Sequence, residues 1–452
     1  MIRWLAALLV VLALAGTGAY VAAGRGSPPT LTFLKPDRVI GQTGALDLSA
    51  VAPNARFTSL SIALEQNGRT VPLFALDATQ QASVTQTGRD ELRISRQLGP
   101  RSVPGLQAGT ARLVAVATRP SFLNLRSLTS LATKDVVVRL EPPRIAVVST
   151  HHYVNHGGAE MVVYRATPPD VASGVRVGDI EYPGFPGPAG ADPLRVAFFA
   201  LLYDQPLNAR IVAFARDEAG VEATASFVDN VFEKPFKKSR IVLDDAFVNR
   251  VVPEILEHSP ALKLATPPEG ERLPAFLRIN GELRRMNTAE IASLAARTSP
   301  SRLWEEPFAQ LGNSQVEASF ADRRTYIAGG KEVDQQTHLG FDLAVTARVA
   351  VAAANRGTVV LASWLGIYGN CIVIDHGQGV QSLYGHLSSF DVKVGDTVVR
   401  GQTIGRSGMT GLAGGDHLHF TMLVGGQMVN PVEWWDPHWI ADRVERKLKE
   451  AR

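Results

Sequence analysis

The stretch Gly414-Gly415-Asp416-His417-Leu418-His419-Phe420, "GGDHLHF", sets two histidines one residue apart beside a glycine-rich turn. On a strand, side chains repeat every two residues, so His417 and His419 are expected on one face. Two imidazoles one pleat apart can share a metal site without both binding the metal. Taken alone, an HxH pair is weak evidence, because core and surface histidines produce it too.

Two further segments share its character. "THLGFDLA" holds His338 and Asp342, and "SLYGHLSS" holds His386, each in or beside a strand-like run with an adjacent glycine. With Cys371 as the single cysteine, the chain has no internal disulfide and no thiolate-built zinc site. Any metal must use nitrogen and oxygen. Catalytic zinc takes three such ligands and keeps a position open for water. The His338-x-x-x-Asp342 spacing fits a helical turn or a strand-to-loop segment, and the neighbouring "HLGF" favours the second.

The other histidines read as structural. His151, His152 and His156 lie in "THHYVNHGG", where the spacing of His152 and His156 would suit a metal on a helix. Gly157-Gly158 and the flanking strand patterns argue against a helix there. His258 falls near a helix end, where a cation suits the dipole. His376 belongs to the hairpin turn "IDHGQG", and His438 to the near-terminal surface.

A chain of 452 residues is too long for one ordinary domain. Its 45% hydrophobic and 20% charged residues describe a globular protein, and a net charge of +3 makes no case for nucleic acid. Residues 1–26 carry Arg3, then no charge from Trp4 to Ala23. That layout predicts a signal peptide or a membrane anchor over residues 4–23, with the remainder exported. Residues 30–141 and 143–232 read as short, partly alternating strands, predicting two β-sandwich domains of immunoglobulin-like type. Helical spacing in "DDAFVNRVVPEILEHSP" and "NTAEIASLAARTSP" predicts a short helical linker over 240–300. Strands return over 303–436, and 437–452 reads as a charged helix with a solvated face. The expected fold class is mainly β and multidomain.

"HLGFD" (338–342), "YGHL" (384–387) and "HLHF" (417–420) occur in an order that resembles the lysostaphin/LytM-type zinc metalloendopeptidases. The approach "SFADRRTY" with Arg323 and Arg324, the run "VKVGDTVVRGQTIGRSGMTG" and the closing "VNPVEWW" are similar to that family as well. One departure is Ala321, where the family usually has glycine. The resemblance implies an antiparallel-β peptidase domain in which His338, Asp342 and His419 bind Zn2+ while His386 and His417 are catalytic. Chemistry agrees with that division, since a fourth protein ligand would close the site and leave His386 without a task. The resemblance further implies an exported enzyme, periplasmic or on the extracytoplasmic face, that hydrolyses peptide stems or crossbridges of peptidoglycan. The alternative is a non-hydrolytic wall-binding protein or an activator of a cell-wall amidase. Asn370 and Tyr384 are further candidates for the cleft wall, and Cys371 reads as a buried strand residue. A regulatory protein partner stays open.

Overall fold

The computed structural model describes residues 2–24, 26–78, 82–121, 124–187 and 194–451, without the side chains of residues 2, 3, 5, 6 and 22. Ile2–Ala23 form one helix. Among the described residues no helix is long and apolar enough to cross a membrane. The anchor expected over residues 4–23 is therefore not supported.

The chain divides into two compact units, residues 1–143 with 216–223, and residues 144–215 with 224–452. In the first, one sheet has the spatial order Thr30–Lys35, Gly44–Val51, Glu91–Leu98, Ser83–Gln86. The other runs Val39–Ile40, Ser127–Val138, Gly109–Pro120, Ser59–Gln66, Arg69–Ala75. Alternation works here as the pleat demands. Leu60, Ile62 and Leu64 point inward from one sheet to meet Leu46, Leu48 and Ile94 of the other in a single core. This is a β-sandwich; the immunoglobulin-like type expected for it is not shown by its two-sheet construction alone.

The second unit begins with strands Arg144–Val147, Ala159–Thr167 and Leu194–Ala200, paired antiparallel in that order. Residues 161–164 are fully buried, so this sheet is covered on both faces and reads as a continuous apolar run. The segment expected to be a linker does not stand apart from its neighbours. Val251, Val252, Ile255, Phe276, Ile279 and Ile291 join one core with the strands before and after them. Lys238–Val242 pairs in parallel with Asp322–Ala328, adding a strand to the hairpin that Asp322–Ala328 forms with Lys331–His338.

The terminal helical stretch corrects a second expectation. Its face is not wholly solvated: Lys447 is fully buried, with Nζ donating to Glu160 Oε1 at 2.7 Å and to the Met161 carbonyl at 2.8 Å. A buried ammonium is tolerable only when paired in this way.

The large sheet that carries the C-terminal histidines is antiparallel throughout. Its order is Gln315–Ala318, Phe341–Ala344, Leu418–Val424, Val380–Leu387, Asn370–Asp375, Gly357–Trp364, Thr397–Val398. Every residue of Val380–Leu387 and Leu418–Val424 is buried. Those two central strands form a rigid floor.

Candidate metal centre and active site

Strand register brings the site together. Asp342 lies directly opposite His419, and His419 also lies opposite Gly385, the residue before His386. His417 sits two residues before His419, where the pleat returns it to the same face. His338 arrives from another sheet, at the end of Lys331–His338. Segments 338–342, 386 and 417–419 thus converge as the HxxxD, GH and HxH patterns predicted.

Three atoms form a nearly equilateral triangle. His338 Nε2 is 2.9 Å from Asp342 Oδ1 and 3.0 Å from His419 Nδ1, and His419 Nδ1 is 3.0 Å from Asp342 Oδ1. All three residues are buried, and together they could hold a metal ion. Hydrogen bonding points the same way. His338 Nδ1 lies 3.2 Å from the Ser319 carbonyl, which can only accept, so the proton belongs on Nδ1 and a lone pair on Nε2. That lone pair faces a carboxylate oxygen and a second imidazole nitrogen. Such a convergence of donors suits a shared cation better than a shared proton. Two imidazoles and one carboxylate match zinc's preference, and the sides of the triangle are a few tenths of an ångström shorter than the roughly 3.3–3.6 Å edge of a tetrahedron with 2.0–2.2 Å bonds. The residues fit the metal.

Outer contacts fix these donors. Arg324 Nη2 donates to Asp342 Oδ2 at 3.1 Å, leaving Oδ1 for the triangle. Its Nε lies 3.5 Å from Asp322 Oδ2. Gly340 leaves room for the His419 ring: a Cβ there would sit 2.5 Å from His419 Cε1 and Nε2.

His386 and His417 flank the triangle, with ring centroids 4.9 Å apart. The Thr410 carbonyl accepts from His386 Nδ1 at 2.8 Å, and the Gly415 carbonyl accepts from His417 Nδ1 at 2.9 Å. Both rings therefore present Nε2 to the site, His417 Nε2 lying 3.4 Å from Asp342 Oδ1. His386 adopts φ +62°, a left-handed backbone that is costly for a side-chain-bearing residue and common at functional positions.

Electrostatics separates the two rings. Burial, reinforced by His417 and His419, holds the His386 imidazole well below its ordinary 6.5. Burial also pushes His417 down, but the hydrogen bond and charge of Asp342 outweigh it and leave His417 raised. Burial brings His419 to about 4, as a neutral ligand requires. Asp342 is driven up by burial, yet the surrounding histidines hold its carboxyl well below the usual range.

A cavity of about 90 Å³ opens over these groups, lined also by Arg284, Tyr368 and Leu412. Asn370 and Tyr384 do not line it. The Tyr384 hydroxyl accepts from Ala354 N at 2.8 Å, and its ring packs on Phe420; the Asn370 backbone N donates to Thr410 Oγ1 at 3.0 Å. Their positions support the histidines from behind. Cys371 is buried in its strand, as expected, and burial raises its thiol pKa.

The remaining histidines are satisfied elsewhere. His152 hydrogen-bonds Ser149 Oγ and the Phe227 carbonyl, His156 the Gln205 carbonyl, and His258 the Glu254 carbonyl while stacking on Trp364. His376 is fully buried between the Arg356 carbonyl and Ser382 Oγ, a core role beyond turn duty. Sequence reasoning did not single out Arg284 or Thr410; Thr410 lay inside the quoted "GMTG", whereas nothing local marked Arg284.

Residues 336–431 match Peptidase family M23. Over 95 residues the chain is 41% identical to the DD-carboxypeptidase/endopeptidase Mpg of Neisseria meningitidis, covering 21% of this chain and 22% of that one. It is 30% identical over 164 residues to the peptidoglycan DD-endopeptidase ShyA of Vibrio cholerae, covering 36% and 35%. It is 40% identical over 95 residues to the murein hydrolase activator EnvC of Escherichia coli, covering 21% and 23%. The matches thus span between about a fifth and about a third of each relative's length.

Proposed function

Residues 336–431 form a domain of peptidase family M23, and from that premise we propose that the protein is an exported zinc metalloendopeptidase that hydrolyses peptide crosslinks of peptidoglycan. One observation carries the reading: the His338–Asp342–His419 triangle with two non-ligating histidines aimed at it. His338 Nε2, Asp342 Oδ1 and His419 Nδ1 would hold the metal. Zinc bound there supplies Lewis acidity to polarise the amide carbonyl and acidify water.

The chain's own groups do the rest. His386, kept neutral by burial, receives a proton at Nε2 from the attacking water. His417, the more basic ring, donates from Nε2 to the developing oxyanion and then to the leaving amine. The Thr410 carbonyl keeps His386 in the tautomer whose Nε2 can accept, and the Gly415 carbonyl holds His417 Nδ1–H, so that the proton the His417 imidazolium gives up is the one on Nε2. Arg324 orients Asp342, and the strands Phe341–Ala344 and Val380–Leu387 on either side of His419 exclude bulk water.

The name of ShyA, a peptidoglycan DD-endopeptidase, supports peptidoglycan as substrate, and that substrate places the reaction in the cell envelope. EnvC favours a second reading, a non-hydrolytic activator of a wall hydrolase. Five filled positions, His338, Asp342, His386, His417 and His419, argue for hydrolysis. The upstream sandwiches are read as positioning modules. Immunoglobulin-like type for the first is supported by its strand order: in chain order, strands 1-3-7-6 face strands 2-9-8-4-5, the ABED and GFC arrangement with one strand added at each edge of the second sheet.

The test is metal content and peptidoglycan digestion by wild type, His338→Ala, Asp342→Ala and His417→Ala. We expect His417→Ala to keep zinc and lose at least about 100-fold in rate, and His338→Ala to lose both. Normal zinc and digestion in all three variants would sink the proposal. A wild type that releases no new peptide termini yet stimulates an amidase establishes the second reading.

A further inference from the structure

Both guanidinium groups lining the cavity come from outside residues 336–431, and Arg284 comes from the helical segment. The helix Leu273–Arg278 passes into Arg284–Ser293 through a single π-helical turn, Ile279–Leu283. Such turns accommodate an extra residue and recur at functional positions. Here the turn buries Asn280 completely, and Asn280 Nδ2 donates to Asp334 Oδ2 at 2.8 Å. Asp334 belongs to the strand that ends in the metal-site residue His338.

Asn280 in turn grips Arg284. Its carbonyl accepts from Arg284 Nε at 3.0 Å and its Oδ1 from Nη2 at 2.5 Å. The guanidinium is thus oriented before any ligand arrives, with both Nη1 hydrogens and one on Nη2 uncommitted. It lines the same cavity as His338, Asp342, His386, His417 and His419. Among the described residues Arg284 forms no ion pair.

Charge bookkeeping indicates what is missing. The charged side chains lining the cavity are Arg284, Arg324 and Asp342, and Arg324 already uses Asp342. Asp322 lies 3.5 Å from Arg324 as well, so Arg324 is matched by carboxylates while Arg284 is not, and the divalent metal that fits this site would make the cavity more positive. In a confined, partly dehydrated space such an excess favours an anion. A carboxylate is the planar, two-oxygen partner that the free edge of a guanidinium receives in bidentate fashion.

We propose that Arg284 receives a carboxylate of the substrate, so that the site selects peptides bearing an ionised carboxylate beside the amide that is cut. This rests on the hydrolase reading above and specifies its substrate. Arg284 acts in selection; the proton transfers belong to His386 and His417.

The experiment uses the zinc-loaded full chain and two synthetic crosslinked stem-peptide dimers. In one the carboxylates flanking the scissile amide are free; in the other they are carboxamides. The wild type is expected to cut the free acid with at least about tenfold higher kcat/KM, mainly through KM. Arg284→Gln is expected to lose that preference, and Arg284→Lys to recover part of it. Equal treatment of the two peptides by the wild type overturns the proposal, and so does a preference that survives in Arg284→Gln. If Arg284→Gln does not fold, the wild-type comparison decides alone. If the wild type with zinc in place cuts neither peptide, the hydrolase reading fails separately. Calorimetric binding of the two intact peptides to the wild type then decides for or against Arg284 by the same criterion.

Discussion

At the scale of single residues, the five site groups differ in what their surroundings ask of them. His419 is held neutral and faces Asp342 and His338, whereas His386 and His417 have Nδ1 tied to a carbonyl, and His417 turns Nε2 towards Asp342 at 3.4 Å. The two rings of the HxH doublet therefore sit in different surroundings, as the pleat allowed but did not require. Arg324 is the residue that keeps Asp342 Oδ1 directed at the triangle. Arg324→Gln is expected to weaken zinc binding by about 10- to 100-fold, the usual cost of losing an outer partner of a metal ligand. Competition with a chromogenic chelator measures this directly, and unchanged affinity would remove Arg324 from the positioning role.

At the scale of elements, two small residues govern how strands reach the site. Ala321 stands where the resembling family usually has glycine, and its backbone sits at φ +60° with its N–H bonded to the His338 carbonyl at 2.7 Å. The position demands a left-handed turn, so the alanine carries strain. Ala321→Gly should raise stability by about 1 kcal/mol in denaturant unfolding, with the metal site intact. Gly340 is constrained by space instead. Gly340→Ala drives a methyl into the His419 ring and the Phe420 carbonyl, at 2.5 and 2.9 Å. Zinc content should fall sharply in that variant. Retention of full metal would mean that the 338–342 loop yields without disturbing His419.

At the scale of the whole chain, within residues 144–215 and 224–452, buried charge ties the early strands to the C-terminal end. Glu433 accepts from Ala159 N and Asn155 Nδ2, both at 2.7 Å, and Lys447 pairs with Glu160. Burial raises the Glu433 carboxyl from its ordinary 4.5 to about 7, against the pull of those hydrogen bonds. A raised folded-state pKa means that the native protein binds the proton more tightly than the unfolded chain. The stability this contributes is complete below pH 4.5 and is lost as pH rises through 7. Relative to the wild type, Glu433→Gln should therefore gain on the order of 3 kcal/mol between pH 4.5 and 7. Urea unfolding of both proteins across that range checks the slope, and a pH-independent difference would contradict it. Much of this architecture was illegible locally. Lys447 lies in a run of charges that looks solvated, and its burial follows from Glu160 nearly 290 positions earlier.

The sequence by itself marked the five residues that the structure brings together in the candidate site, and the faces they share. HxxxD, GH and HxH are short-range patterns, and the strand period alone sets which side chains lie together. It also located the apolar N-terminal stretch and the alternating strands, since periodicity is local. Only the tertiary structure decided that residues 245–297 share a core with the strands around them. Only the tertiary structure put Arg284 in the cavity, through a π turn clamped by Asp334. The reason is physical: which face a helix buries, and which charge finds its partner, is fixed by residues far away in the chain.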